Sequence, residues 1–160
     1  CMSQQLILAA PAATEALGRK LAAASQALAA GSLCIYLHGD LGAGKTSLAR
    51  GFLRGCGHTG RVPSPTYTLI ESYNCSGRVI YHLDLYRLQN AAELEFLGID
   101  ELVSPGAVLL IEWPGQGGNH LQAPDLEVFL ALLAEGRACT LVAHTPAGGS
   151  ILSNLARITE

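Results

Sequence analysis

Lysine is nearly missing from this chain. Of 160 residues only Lys20 and Lys45 are lysines, and lysine plus arginine number 10 against 13 acidic residues, for a net charge of −3. A protein that grips nucleic acid unaided neutralises many phosphates with basic side chains, so this balance argues against that class. Long apolar runs are missing too. None approaches the ~20 residues of a membrane span. The chain does not open on a basic segment followed by a long apolar stretch, so no signal peptide and no membrane association are expected. Cys34, Cys56, Cys75 and Cys139 are scattered and show no C-x-x-C spacing. That argues against zinc or a disulfide framework and fits buried, reduced thiols in a cytoplasmic protein. Cys1 precedes Met2 and reads as an addition ahead of the first methionine. Only 14% of residues are charged and 49% are apolar, enough for a sizeable core in a single domain over residues 1–160.

What the chain does have is concentrated between Leu33 and Cys56. A short apolar run, Leu33 to His38, precedes Gly39-Asp40-Leu41-Gly42-Ala43-Gly44-Lys45-Thr46, which fits G-x-x-x-x-G-K-[ST], a phosphate-binding loop. The run reads as a buried parallel strand. Leu48, Phe52, Leu53 and Cys56 then recur at helical spacing. Strand, glycine loop and helix is the context the motif requires. The residue types follow from the chemistry. Glycines let the backbone turn sharply and approach phosphate without Cβ atoms. Successive N–H groups then form an anion-binding nest at the positive end of a helix. Lys45 can reach the β- and γ-phosphates, and the Thr46 hydroxyl can bind Mg²⁺.

The remaining segments are read around that loop. Gln4 to Ala9 is a short candidate strand. Ala12 to Ala30 reads as an alanine-rich helix with Leu17, Leu21, Ala24 and Leu28 on one face. Its start, near Thr14, either borders a bound base or belongs to a packing helix. Arg61 to Thr68 contains Pro63 and Pro65 and is extended. Ser64, Pro65, Thr66 and Tyr67 are candidates for a γ-phosphate-sensing segment, with a stiff surface loop as the alternative. Leu69–Tyr73 and Val79–Leu85 read as strands joined by a turn at Asn74-Cys75-Ser76-Gly77. Asp84 closes the second strand and can hold Mg²⁺ directly or through water. His82 faces the same side and is either a ligand or base, or a satisfied core histidine. Asn90 to Gly98 reads as a short helix whose Glu93 and Glu95, with Asp100 and Glu101, form a solvated acidic face or a surface for a basic partner. Ala107 to Trp113 is another apolar strand that ends in an acid. Glu112 lies at the carboxyl end, where open α/β sheets bind ligands, and Trp113 reads as packing. Pro114 to Gly118 reads as a flexible turn. Leu126–Leu133 and Ala138–His144 read as an antiparallel hairpin, and Ser150–Ala156 as a closing helix.

The phosphate loop, Ser64-Pro65-Thr66-Tyr67-Thr68-Leu69, His82-Leu83-Asp84-Leu85-Tyr86-Arg87-Leu88, Glu93 to Ile99 and Ile111-Glu112-Trp113-Pro114 together resemble the TsaE (YjeE) family. These are bacterial ATPases needed to make threonylcarbamoyladenosine in tRNA. The resemblance covers nearly the whole chain with order and spacing intact. It implies a P-loop NTPase-like, three-layer α/β fold, with a parallel core sheet to which antiparallel strands are added. It implies that Gly39, Asp40, Leu41, Gly42, Ala43, Gly44, Lys45, Thr46 and Ser47 hold the phosphates of ATP or ADP. Lys45, Asp84 and Glu112 are implied for catalysis, and Thr46, Asp84 and Glu112 for Mg²⁺. Ser64, Pro65, Thr66 and Tyr67 are implied as the switch-like segment, with Thr14 and Arg137 beside the adenine. It also implies a complex with TsaB and TsaD, in which TsaD transfers the threonylcarbamoyl group and tRNA is met mainly through the partners.

Two readings from other classes remain at this point. A small-molecule kinase on the same scaffold needs an acceptor pocket and usually an arginine-bearing lid. After Asp84 the chain offers only Arg87, Arg137 and Arg157, which are dispersed. A non-catalytic nucleotide sensor would need no carboxylate pair, so Asp84 and Glu112 argue for chemistry.

Overall fold

A computed structural model describes residues 2–28 and 31–158. Cys1 therefore lies outside the described residues, as do the last two positions of the helix expected to run to Ala30.

Seven strands form one sheet in the order β1-β7-β6-β2-β5-β4-β3. They are β1 (Met2–Leu8), β2 (Leu33–His38), β3 (Ile70–Cys75), β4 (Arg78–Asp84), β5 (Val108–Glu112), β6 (Leu126–Leu132) and β7 (Arg137–Ala143). Strands β6, β2, β5 and β4 run parallel, while β1, β7 and β3 add on antiparallel. This is the parallel core with antiparallel additions that the sequence led us to expect. Strand β5 is buried along its whole length, as a parallel strand covered on both sides must be, whereas β6 buries Leu126, Val128 and Leu130 on one face and leaves Phe129 exposed on the other. Leu33, Ile35, Leu37, Val108 and Leu110 join one core cluster, and Cys34, Leu109 and Ile111 join the other.

Helices α1 (Pro11–Ser25), α2 (Lys45–Gly55) and α4 (Pro146–Ile158) cover the first face. They contribute Leu17, Leu21, Leu48, Phe52, Ile151 and Leu155 to its core. The second face is covered over β2, β5 and β4 by short pieces: α3 (Glu93–Phe96) and 3-10 turns at Ile99–Leu102 and Pro114–His120. Leu94, Ile99 and Leu121 pack there. The expected flexible turn at Pro114 to Gly118 is instead 3-10 backbone broken by a kink at Gly118, which takes φ 53° and ψ −135°.

Local chemistry accounts for the ends of these elements. Helix α1 begins with Pro11 in its first turn, where the missing N–H costs nothing. The β3–β4 hairpin is tighter than the expected four-residue turn. Cys75 still pairs with Arg78, and Ser76-Gly77 alone make the loop at φ 56° and 80°. Two residues at positive φ match the right-handed twist of the flanking strands. Helix α4 starts four residues before its expected beginning. Thr145 Oγ1 accepts from the Gly148 N–H at 3.2 Å and Pro146 opens the helix, which carries it through the Gly148-Gly149 pair.

Candidate functional site

The carboxyl ends of β2, β4 and β5 converge on one edge of the sheet. Strand β2 delivers the chain into the glycine loop, and α2 leaves it. The Ala43 N–H donates to the Asp40 carbonyl at 3.0 Å and the Leu48 N–H to the Gly44 carbonyl at 2.9 Å, closing the loop onto the helix. Gly42 and Gly44 take φ values of 80° and 111°, which a side chain would strain. Leu41 is exposed at the rim and Ala43 is buried beneath it.

Lys45, only 5% exposed, folds its ammonium back over the loop. It donates to the Gly39 carbonyl, and to the Asp40 carbonyl at 3.1 Å. The same Nζ lies 4.1 Å from the centre of the Trp113 ring. Burial pulls the Lys45 pKa below the ordinary lysine value, while Glu112, Asp84 and Asp40 pull it back up.

Asp84 and Glu112 are register partners on the adjacent parallel strands β4 and β5, and both are buried, at 4% and 3% exposure. Buried carboxylates need donors. Asp84 Oδ2 accepts from Thr66 Oγ1 at 2.9 Å, and Oδ1 from the Tyr86 N–H at 3.0 Å. Glu112 Oε2 accepts from Thr46 Oγ1 at 3.0 Å and lies 2.6 Å from His82 Nε2. The phosphate loop and the acidic pair therefore touch through Thr46.

The segment ahead of β3 reaches the same edge. Ser64 Oγ and Thr66 Oγ1 are 2.8 Å apart, and Pro65 is buried beneath them. Its carbonyl accepts from the Leu69 N–H, and Leu69 takes φ 68°. Tyr67 points away from the carboxylates: it is 82% exposed, with the Arg87 guanidinium 4.4 Å over its ring. Thr14 and Arg137 arrive from α1 and β7. A Cβ built on Gly44 would stand 3.2 Å from both Thr14 Cγ2 and Arg137 Nε. Thr14 Oγ1 and Arg137 Nε are buried with no hydrogen-bond partner among the described residues.

Gly42, Gly44, Lys45, Thr46, Ser47, Ser64, Thr66, Asp84, Glu112 and Arg137 line one small cleft of about 220 Å³. A wider cleft of about 650 Å³ adjoins it, bordered by Gly39, Asp40 and Trp113. The wider one has neither carboxylate of the pair on its wall, so the narrow cleft is the candidate chemical centre. Its polar groups fit a phosphate chain with a divalent cation. N–H groups and an ammonium face anionic oxygens, and one hydroxyl and two carboxylates supply the hard oxygen donors that Mg²⁺ takes beside phosphate. No group of three or more His, Cys, Asp or Glu among the described residues is arranged to hold a metal alone. Such a donor set suits an ion that completes its shell with phosphate and water.

Two neighbours of the carboxylates have contacts beyond what the sequence alone settles: Trp113, which read as packing, and His82, for which two readings stood open. Trp113 packs partly into the second-face core, as expected, but also lies beneath the Lys45 ammonium at φ 57°, a costly conformation for a bulky residue. His82 is a core histidine, yet among the described residues its one side-chain hydrogen bond is to Glu112. For Trp113 the available signal was positional, since it directly follows Glu112; for His82 it was the alternation with Asp84 on one strand face.

Comparison with known proteins gives a consistent picture. The family model described as threonylcarbamoyl adenosine biosynthesis protein TsaE matches residues 8–138. The tRNA threonylcarbamoyladenosine biosynthesis protein TsaE of Haemophilus influenzae is 48% identical over 122 residues, covering 76% of this chain and 77% of that protein. The protein of the same name from Synechocystis is 44% identical over 106 residues, 64% of each chain. The crystal structure of YdiB from Bacillus subtilis superposes with a TM-score of 0.82 at 28% identity, covering 99% of this chain and 97% of that one.

Proposed function

The chain belongs to the TsaE family, and from that premise we propose that it is a Mg²⁺-dependent ATPase serving threonylcarbamoyladenosine formation in tRNA, acting within a complex with TsaB and TsaD. The observation that carries this reading is the Thr46–Glu112 contact at 3.0 Å beside the Asp84–Glu112 pair, which joins a phosphate loop to two buried carboxylates.

Each residue has a defined task. The backbone N–H groups from Gly39 to Ser47 cradle the phosphates of ATP or ADP. Lys45 leaves the loop carbonyls to meet the β- and γ-phosphate oxygens. Thr46, Asp84 and Glu112 would hold Mg²⁺, which when bound neutralises the phosphate oxygens. The Glu112 carboxylate also accepts a hydrogen bond from the attacking water and orients it. Thr14 and Arg137 border the base, their unpartnered polar atoms supplying a donor and an acceptor.

Thr66 is the contact through which the γ-phosphate is sensed. It is already hydrogen-bonded to Asp84, and one residue on, Tyr67 stands exposed for a partner to read. The chain's ten basic residues and net charge of −3 support contact with tRNA mainly through the partners.

The test is to mix the full chain with TsaB and TsaD, with and without ATP, and follow association and phosphate release. We expect hydrolysis that rises with the partners and falls by about 10²-fold or more in Asp84→Asn and Glu112→Gln, as when one transition-state contact is removed. Wild-type turnover in both variants sinks the acidic-pair assignment. No association under any nucleotide condition sinks the role in the complex. Phosphate transferred to a small acceptor would point to a kinase.

A further inference from the structure

Strand β4 carries a wholly buried imidazole, His82, at 0% exposure. Its Nε2 lies 2.6 Å from Glu112 Oε2, and its Nδ1 is buried with no hydrogen-bond partner among the described residues. An ionised carboxylate only accepts, so Nε2 carries the proton and donates. For packing alone this is a poor choice. The position lies between Tyr81 and Leu83 in a parallel strand, where an apolar side chain would fill the space without stranding a ring nitrogen. The one polar interaction that offsets the cost is the bond to Glu112.

The geometry of Glu112 shows what that bond achieves. Both donors converge on Oε2: His82 Nε2 at 2.6 Å and Thr46 Oγ1 at 3.0 Å. Among the described residues Oε1 has only the Thr46 hydroxyl, at 3.4 Å, and keeps its acceptor capacity. The carboxylate is held by one oxygen and offered by the other. Thr46 is also the hydroxyl assigned above to Mg²⁺. When Thr46 turns to that task, His82 is the protein donor left on Glu112.

We propose that His82 is a positioning residue for Glu112: its Nε2–H anchors Oε2 through the nucleotide cycle, so that Oε1 stays aimed at the metal and water side of the cleft. This rests on the nucleotide reading of the site and assigns no contact between His82 and substrate. Register explains the reach. His82 pairs with Leu110, two residues before Glu112 on the same face of β5, so the imidazole reaches its partner along the diagonal of the parallel pair.

The experiment compares His82→Leu, which removes the donor, with His82→Gln, whose side-chain amide can donate to the same oxygen. Three quantities are read on the full chain: ATP turnover with TsaB and TsaD, Mn²⁺ affinity of the ADP-loaded chain by electron paramagnetic resonance, and ADP affinity in EDTA. In His82→Leu we expect kcat and Mn²⁺ affinity to fall by about 10- to 100-fold, the range for a lost partner of a metal ligand. Metal-free ADP affinity should stay near wild type. His82→Gln should recover most of both losses. If His82→Leu fails to fold, His82→Asn, too short to reach Glu112, takes its place against His82→Gln.

Wild-type kcat and Mn²⁺ affinity in the donor-less variant overturn the proposal. So does a folded His82→Gln that is as impaired as His82→Leu, because the loss is then one of packing. Absence of ADP binding by the wild-type chain overturns the nucleotide reading and this inference together, whereas normal ADP binding beside an unchanged His82→Leu overturns this inference alone.

Discussion

Lys45 shows how much of this site is set by single side chains. Its ammonium is buried, disfavoured by desolvation, and stabilised by two loop carbonyls, the Trp113 ring and three nearby carboxylates. On the proposed reading, such an ammonium meets the phosphates and is costly to remove. Lys45→Ala should weaken ADP binding by roughly 10- to 100-fold, the equivalent of one charge-assisted hydrogen bond of about 1.5–3 kcal/mol. Trp113 is the chain's single tryptophan, and Lys45 lies 4.1 Å above it, so a titration of its fluorescence reads the binding directly. An unchanged Kd would show that the ammonium does not meet the nucleotide. At this scale the sequence was informative where a motif constrains chemistry. Lys45, Thr46, Asp84 and Glu112 were named from their places in strand-and-loop patterns. Trp113 reads locally as packing and His82 as either a ligand or base or a core histidine, and only neighbouring strands reveal what each touches.

Among the elements, α1 and α2 depend on contact closer than any side chain allows. A Cβ on Gly51 would fall 2.0 Å from the Glu15 carbonyl oxygen, and one on Gly18 would fall 2.2 Å from the Leu48 carbonyl oxygen. On helix propensity alone, Gly→Ala gains about 1 kcal/mol. At Gly51 the forced separation of two backbones outweighs that, since overpacking costs about 1–3 kcal/mol even where only side chains must move. Gly51→Ala should therefore lower Tm, and because α2 carries the phosphate loop it should weaken ADP binding as well. Gly149 in α4 is the control. A Cβ there meets only Met2 Sδ at 3.4 Å, so Gly149→Ala should leave Tm unchanged or raise it. Thermal melts of the two variants decide the matter, and equal shifts would refute the close-contact account. The helices themselves were legible from apolar spacing. Their contact was not, because Gly18 and Gly51 lie far apart in the chain and each looks like a weak point of its own helix.

For the molecule as a whole, the buried thiols set an alkaline limit. Burial pushes Cys34 and Cys139 up to about 12, with Asp125 adding to the rise at Cys34. It pushes Cys56 to about 11 and Cys75 upward. The sign follows from proton counting. Above pH 9, the ordinary value for these thiols, the unfolded chain loses protons that the fold retains, so stability falls as pH rises and continues to fall towards the folded-state values. Each thiol contributes up to about 1.4 kcal/mol per pH unit in that window. Lys45 acts in the opposite direction, since its depressed ammonium is relieved as pH rises. Four thiols outweigh one lysine. Urea midpoints under reducing conditions should hold between pH 7 and 8.5 and drop steeply above 9, less so in Cys139→Ala; a flat profile to pH 10.5 would contradict the burial of these groups. The sequence by itself determined most of the strands and helices, the glycine loop and the two acid-ended strands, because periodicity, turn residues and short motifs are local, and the parallel core was implied by the family resemblance. The tertiary structure decided that Asp84 and Glu112 stand side by side, that Thr66 reaches one and His82 the other, that Tyr67 faces outward, and that Thr14 and Arg137 meet at Gly44. Those facts depend on strand order and register, which arise from how distant segments bury their faces together.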